Sequence, residues 1–178
     1  MSDYFNLTLT EKRERLWVLL PGLLGRADEL ETLVPQSDAI MKIEYKLHDI
    51  GDYHHRVLAL KDHIQKHANG AEIVGMGYSM GGRLLYSLIQ SDPKLFHKAV
   101  FISSGFPLFN PKDRYLKKTF EQFVSSQLLK LPPIEFLKWW YNLPIYNTLK
   151  DYSNFLGYLS KKKSSFDAAK TQHLLKTY

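Results

Sequence analysis

The chain has 178 residues and no cysteine, which excludes disulfides, thiolate metal sites and a cysteine nucleophile. Hydrophobic residues make up 44% and aromatic residues 13%, a composition that excludes disorder and implies a folded globular chain. The net charge of +6 is uneven: residues 1–106 hold 12 Lys/Arg against 13 Asp/Glu, whereas residues 107–178 hold 12 against 5, a basic segment at +7. Its lysines are scattered among apolar residues with no nucleic-acid-binding motif, so the charge fits an anionic small-molecule partner, or a solvated surface, better than nucleic acid.

The start, MSDYFNLTLTEKRER, has no apolar signal region, and the longest apolar stretch, Leu16 to Leu24, is broken by Pro21 and Gly22 and too short to span a bilayer. No membrane partner is expected, and the expected location is cytoplasmic. Tyr4 to Thr10 alternates apolar and polar residues, as a half-exposed edge strand does. Leu16 to Leu20 is a continuous apolar strand running into Pro21-Gly22-Leu23-Leu24-Gly25. Asp28 to Val34 suits a short helix, Pro35 to Ser37 a loop and Met41 to Tyr45 a strand. In Lys46 to His55, the residues His48, Asp49, Asp52, His54 and His55 place imidazoles and carboxylates close enough to raise a metal site. Neither H-E-x-x-H nor an EF-hand loop is present, and a polar turn into a helix over Tyr53 to Lys66 accounts for them, so no metal or cofactor is expected.

Ala71 to Ser91, AEIVGMGYSMGGRLLYSLIQS, organises the chain. Ile73, Val74 and Met76 supply a buried strand, and Leu84, Leu85, Leu88 and Ile89 recur at helical spacing. Between them Gly77-Tyr78-Ser79-Met80-Gly81 matches G-x-S-x-G, the nucleophile elbow that lifts a serine hydroxyl above the end of a strand at a helix N-terminus. Ser79 would be the reacting hydroxyl, and Met80 would lend its backbone N–H to a developing oxyanion.

Asp92-Pro93 marks a turn, and Ala99 to Ser103 reads as another buried strand of parallel type. Alternating strands and helices predict a right-handed, mostly parallel sheet with its site beyond the strands' carboxyl ends, where Leu20-Pro21, Tyr78-Ser79 and Ser103-Ser104 all fall. Leu108 to Tyr178 reads as helices with breaks at Pro132-Pro133 and Pro144. Arg114, Lys117 and Glu121 share one helix face there. The expected division is a core over 1–106 and a helical cap inserted over 107–178.

The stretch GYSMGGR, with arginine four residues after the serine, resembles the α/β-hydrolase family that includes 2-succinyl-6-hydroxy-2,4-cyclohexadiene-1-carboxylate synthase, the pyruvate-eliminating enzyme of menaquinone biosynthesis. The resemblance implies an α/β fold, an α/β-hydrolase core with a mostly parallel sheet whose C-terminal strands are missing, and a helical cap. It makes Leu23 the second oxyanion donor, with Pro21 standing where the family carries histidine. It makes Arg83 and Lys117 contacts for substrate carboxylates, Lys118 being the alternative if the local alignment carries a one-residue gap. Trp140 in the run FLKWWYNLPIY matches a tryptophan that faces the family's site, although such aromatics equally serve packing, as Trp139 does. Tyr78, beside the serine, joins the expected substrate contacts, and Lys161-Lys162-Lys163 reads as a solvated charge run.

In this family the triad runs serine, acid, histidine, with the last two after the cap. Six of the seven histidines precede the cap's helices and His173 lies in one of them, so no general base for Ser79 stands in the expected place. Two expectations follow: the sequence is the N-terminal portion of a longer enzyme, or it is a degenerate protein that has lost catalysis. Under the first, the strand at Ala99 to Ser103 is an unprotected edge available for self-association. The function implied is a lyase eliminating pyruvate from 2-succinyl-5-enolpyruvyl-6-hydroxy-3-cyclohexene-1-carboxylate. The alternatives are a serine hydrolase of esters or thioesters and a non-catalytic protein that binds an anion.

Overall fold

The computed structural model describes residues 5–9, 14–45, 52–105, 108–151 and 153–177. The chain divides into two compact units, Met1–Leu108 with Thr177–Tyr178, and Phe109–Lys176.

In the first unit the strands are β1 (Phe5–Leu9), β2 (Arg15–Leu20), β3 (Ala39–Tyr45), β4 (Glu72–Tyr78) and β5 (Lys98–Ile102). They form one sheet in the order β1-β3-β2-β4-β5. β1 runs antiparallel to β3, pairing Phe5 with Tyr45 and Leu9 with Met41, and the other three pairings are parallel. The central pair is in register Leu16 to Ile73 and Leu20 to Gly77. Its continuous apolar runs match its burial: Leu16, Val18, Leu19, Leu20, Ile73, Val74 and Met76 are all buried.

Among the described residues, three helices belong to this unit: α1 (Asp28–Glu31), α2 (Tyr53–Ala68) and α3 (Met80–Ser91). Val57, Leu60 and Ile64 of α2 and Leu84, Leu85 and Leu88 of α3 are buried, each contributing about 1.5–3 kcal/mol relative to exposure. Asp52 caps α2 by accepting a hydrogen bond from the His55 N–H, and Asn69 closes the helix in the left-handed conformation usual for a C-terminal cap.

Three expectations are corrected. α1 ends at Glu31 rather than Val34, because the chain goes on as i→i+3 turns, with Leu33 N–H on the Leu30 carbonyl and Val34 N–H on that of Glu31, both at 3.0 Å. β3 begins at Ala39, two residues before the expected Met41. β5, expected to be buried, leaves Lys98, Ala99 and Val100 exposed, since among the described residues β4 is its only strand neighbour. An apolar strand at the end of a sheet order reads in sequence just as one in the middle does.

The second unit is helical: α4 (Pro111–Lys130), α5 (Pro133–Tyr141), a 3-10 segment (Pro144–Asp151), α6 (Phe155–Ser164) and α7 (Ala168–Thr177). Asn110 caps α4, accepting from Lys112 N–H at 2.9 Å, with Pro111 as the first helical residue. Pro132-Pro133 separates α4 from α5, and Pro144 opens the 3-10 segment. Val124, Leu128, Phe136, Leu137, Trp140, Tyr141, Leu159 and Leu174 are buried here.

Candidate active site

β4 ends at Tyr78, α3 begins at Met80, and Ser79 alone makes the turn between them. Its backbone sits at φ 50° and ψ −112°, a region that costs a non-glycine residue about 1–3 kcal/mol. Hydrogen bonds hold it there. The Ser79 N–H donates to the Ile102 carbonyl at 2.9 Å, and its own carbonyl accepts from Gly82 N–H at 3.1 Å and Arg83 N–H at 3.4 Å. Two glycines make the turn sterically feasible. A Cβ on Gly77 would lie 2.5 Å from the Gly82 Cα, and one on Gly81 would collide with the carbonyl oxygen of Leu20. Gly81 is therefore the point at which α3 touches the end of β2.

The turn after β2 is built to the same tolerance. Gly25 N–H donates to the Gly22 carbonyl at 3.0 Å, and Leu24 takes φ 61° in a turn position where glycine is usual. The buried hydroxyl of Tyr45 donates to the Pro21 carbonyl at 2.8 Å. The Tyr78 ring lies over Gly22, and it packs on the cluster of Leu19, Ala27, Leu30, Val34, Ile40 and Met76. Burial, and secondarily Glu29, pushes the Tyr78 phenol above its ordinary pKa, so it stays neutral. Beyond β5, Ser103 takes φ 47°, and the Ser104 hydroxyl is placed to donate to the Gly77 carbonyl at 3.3 Å or that of Ile102 at 3.2 Å. Among the described residues, three of the four non-glycine positions with positive φ are thus Leu24, Ser79 and Ser103, which follow the carboxyl ends of the adjacent strands β2, β4 and β5. Backbone strain gathered at one end of a sheet is characteristic of a functional site.

The Met80 N–H follows the serine directly in sequence, and the Leu23 N–H belongs to the turn after β2. Among the described residues, neither the Met80 N–H, first in α3, nor the Leu23 N–H makes a hydrogen bond. The Met80 N–H stands at the positive end of the α3 dipole, which favours negative charge. Among the described residues the Ser79 hydroxyl makes no hydrogen bond to a histidine or carboxylate.

Arg83 lies one helical turn beyond Ser79 and is half-buried. Its carbonyl accepts from the Ser87 hydroxyl at 3.2 Å, and that hydroxyl is 2.8 Å from the hydroxyl of Tyr53. Burial raises the Tyr53 pKa, opposed by the Ser87 hydrogen bond and by the charges of Arg83 and Arg56. The Arg83 charge is therefore felt at the first residue of α2, beside the buried Arg56. Sequence reasoning passed over Tyr53 and Arg56, whose i, i+3 spacing at the start of α2 was the available signal.

In the second unit Lys117 pairs with Glu121 one turn along α4, and Lys118 is exposed. Trp140 is 8% exposed, stacked with Phe136 at 6.3 Å and tilted against Tyr146 at 6.0 Å. Its indole N–H is buried without a hydrogen-bond partner among the described residues. The Lys161–Lys163 run is not uniformly solvated: Lys161 and Lys163 are exposed, but Lys162 is 5% exposed, with its ammonium 5.4 Å from the Tyr158 ring centre. Helical periodicity turns the middle lysine inward, where an aromatic face receives the cation. His48 and Asp49 lie outside the described residues, and among those described no group of three or more His, Asp or Glu side chains could hold a metal ion. No described helix is long and apolar enough to cross a membrane.

Among solved structures, the chain is similar to MenH from S. aureus, with a TM-score of 0.78 and 14% identity over 99% of this chain and 71% of that one. It is also similar to the esterase EaEST from Exiguobacterium antarcticum, with a TM-score of 0.70 and 12% identity over 97% of this chain and 68% of that one. A third is MGS-M2, an α/β hydrolase enzyme from a Medee basin deep-sea metagenome library, with a TM-score of 0.66 and 12% identity over 97% and 68%. No protein-family model and no curated protein sequence matches the chain. At these identities the likeness is one of fold, and the chain has the α/β-hydrolase fold that its elbow motif implied.

Proposed function

We propose that Ser79 is the reacting centre of an enzyme acting on an anionic substrate. The specific reading is a cytoplasmic lyase that eliminates pyruvate from 2-succinyl-5-enolpyruvyl-6-hydroxy-3-cyclohexene-1-carboxylate to give 2-succinyl-6-hydroxy-2,4-cyclohexadiene-1-carboxylate. The observation that carries it is the Ser79 backbone itself, held at φ 50° between β4 and α3 by hydrogen bonds to Ile102, Gly82 and Arg83. In this scheme Ser79, deprotonated by a histidine that is not among those of this sequence, takes a ring proton. The C–H electron pair at C2 forms the C2–C3 double bond, the existing C3–C4 pair moves to C4–C5, and the C5–O bond breaks; the pyruvate enolate that leaves takes up the abstracted proton on its methylene carbon to become pyruvate. The N–H groups of Leu23 and Met80 hold the developing oxyanion, and Arg83 orients a carboxylate. Trp140 and Tyr78 would serve as apolar walls. Lys117 would have to exchange its bond to Glu121 for one to the substrate.

Serine hydrolysis of an ester or thioester is the second reading. It is favoured by the likeness to an esterase and by that engagement of Lys117. Assays of pyruvate release and p-nitrophenyl ester hydrolysis on the active protein, with Ser79→Ala and Arg83→Ala, separate the two. The lyase reading expects both variants to lose pyruvate release by about 10²–10⁴-fold. The hydrolase reading expects only Ser79→Ala to abolish ester turnover. Pyruvate release that persists in Ser79→Ala overturns the lyase, and a protein that binds dicarboxylates with no turnover in either assay overturns both in favour of anion binding alone.

A further inference from the structure

Away from the elbow, α2 carries His63 and His67 at i and i+4, on one side of the helix. Both are half-buried, and their rings stack with centroids 4.0 Å apart and planes 20° from parallel. The Nδ1 of His67 is 2.8 Å from the carbonyl oxygen of His63. A carbonyl only accepts, so Nδ1 holds a proton, and in the neutral ring the lone pair is on Nε2. That is the arrangement in which metal-binding histidines are held, the second ring nitrogen tied to a carbonyl that fixes tautomer and orientation.

We propose that His63 and His67 form a two-nitrogen chelate for a borderline divalent cation, Cu²⁺ in preference to Ni²⁺ and Zn²⁺. Two imidazoles one helical turn apart are the spacing through which helical zinc motifs present their histidine pair. Nitrogen donors select this class of ion and the Cu²⁺ preference follows the Irving–Williams order, while Mg²⁺ and Ca²⁺ call for oxygen ligands. Bonds of about 2.0–2.1 Å to both nitrogens require the His63 ring to swing out of the stack towards the tethered His67, which its partial exposure allows. With no third protein ligand among the described residues, water completes the coordination, and the ion is exchangeable rather than structural.

Calorimetric titration of the full chain with CuCl₂, NiCl₂, ZnCl₂ and MgCl₂ tests this, alongside electron paramagnetic resonance of the Cu²⁺ form. One ion bound per chain, tightest for Cu²⁺ and absent for Mg²⁺, is expected, with hyperfine structure from two nitrogens. His63→Ala and His67→Ala should each weaken Cu²⁺ binding at least tenfold and leave one nitrogen coupling, while His55→Ala changes neither. Circular dichroism of each variant shows whether α2 is intact. Absence of saturable Cu²⁺ binding overturns the proposal, as does binding that survives in a folded His63→Ala/His67→Ala double variant.

Discussion

On the proposed reading Ser79 combines two demands that oppose each other: a side chain that reacts, and a backbone conformation in which a side chain is a liability. At φ 50° and ψ −112° the Cβ costs about 1–3 kcal/mol, whereas removing it to leave glycine costs about 0.5–1 kcal/mol in chain entropy. The first exceeds the second, so Ser79→Gly is expected to be more stable than Ser79→Ala by about 1 kcal/mol, read from urea midpoints at equal slopes. Equal stability of the two would mean that the turn is not strained. The elbow was legible because its glycines and serine are residue types that the geometry forces: Gly81 has a carbonyl where a side chain would be. The positive φ of Leu24 and Ser103 was not, since neither residue type announces a left-handed backbone. The Tyr45 hydrogen bond to Pro21 was equally hidden, because it joins residues 24 positions apart through a turn whose shape no local pattern encodes.

At the scale of elements, Asp38 ties β2 to the chain entering β3. Its carboxylate accepts from the Trp17 indole N–H at 2.8 Å and from the Arg15 guanidinium at 3.3 Å. The Trp17 bond is the chief cause that lowers the Asp38 pKa, burial opposes it, and Arg15 adds to the lowering. A carboxyl with a native pKa below its unfolded value stabilises the fold fully above that unfolded value, 3.8, and loses the contribution as pH falls through the native one. Asp38→Asn should therefore cost about 1.5–3 kcal/mol at pH 7 and progressively less below pH 4. Urea unfolding of both proteins at pH 7 and pH 3 checks this, and a deficit unchanged at pH 3 would assign the loss to packing rather than charge. Strands and helices were legible here from periodicity, because burial on one side leaves a repeating mark. What periodicity does not carry is the number of neighbours. The exposure of β5 and the inward turn of Lys162 escaped a reading that counts only residue types and their spacing.

For the whole molecule the governing feature is the field of a chain with net charge +6, in which residues 107–178 carry +7 and the segment holding Ser79 is nearly neutral. Charge of this kind acts over distance, and its reach is set by salt: the screening length falls from about 30 Å at 0.01 M to about 8 Å at 0.15 M. A substrate with several carboxylates would be drawn in by that field, and steering of this type raises association by about 10-fold or more at low salt. On the lyase reading, kcat/KM for the carboxylate substrate should fall about tenfold between those two salt concentrations while kcat holds, because salt weakens capture and leaves the chemistry at Ser79 alone. A neutral p-nitrophenyl ester measured in the same buffers supplies the control and should show no such slope. If the carboxylate substrate were as indifferent to salt as the ester, the basic residues would be a solvated surface. Anion selection would then rest on short-range contacts such as Arg83, which a screening length of several ångströms barely touches.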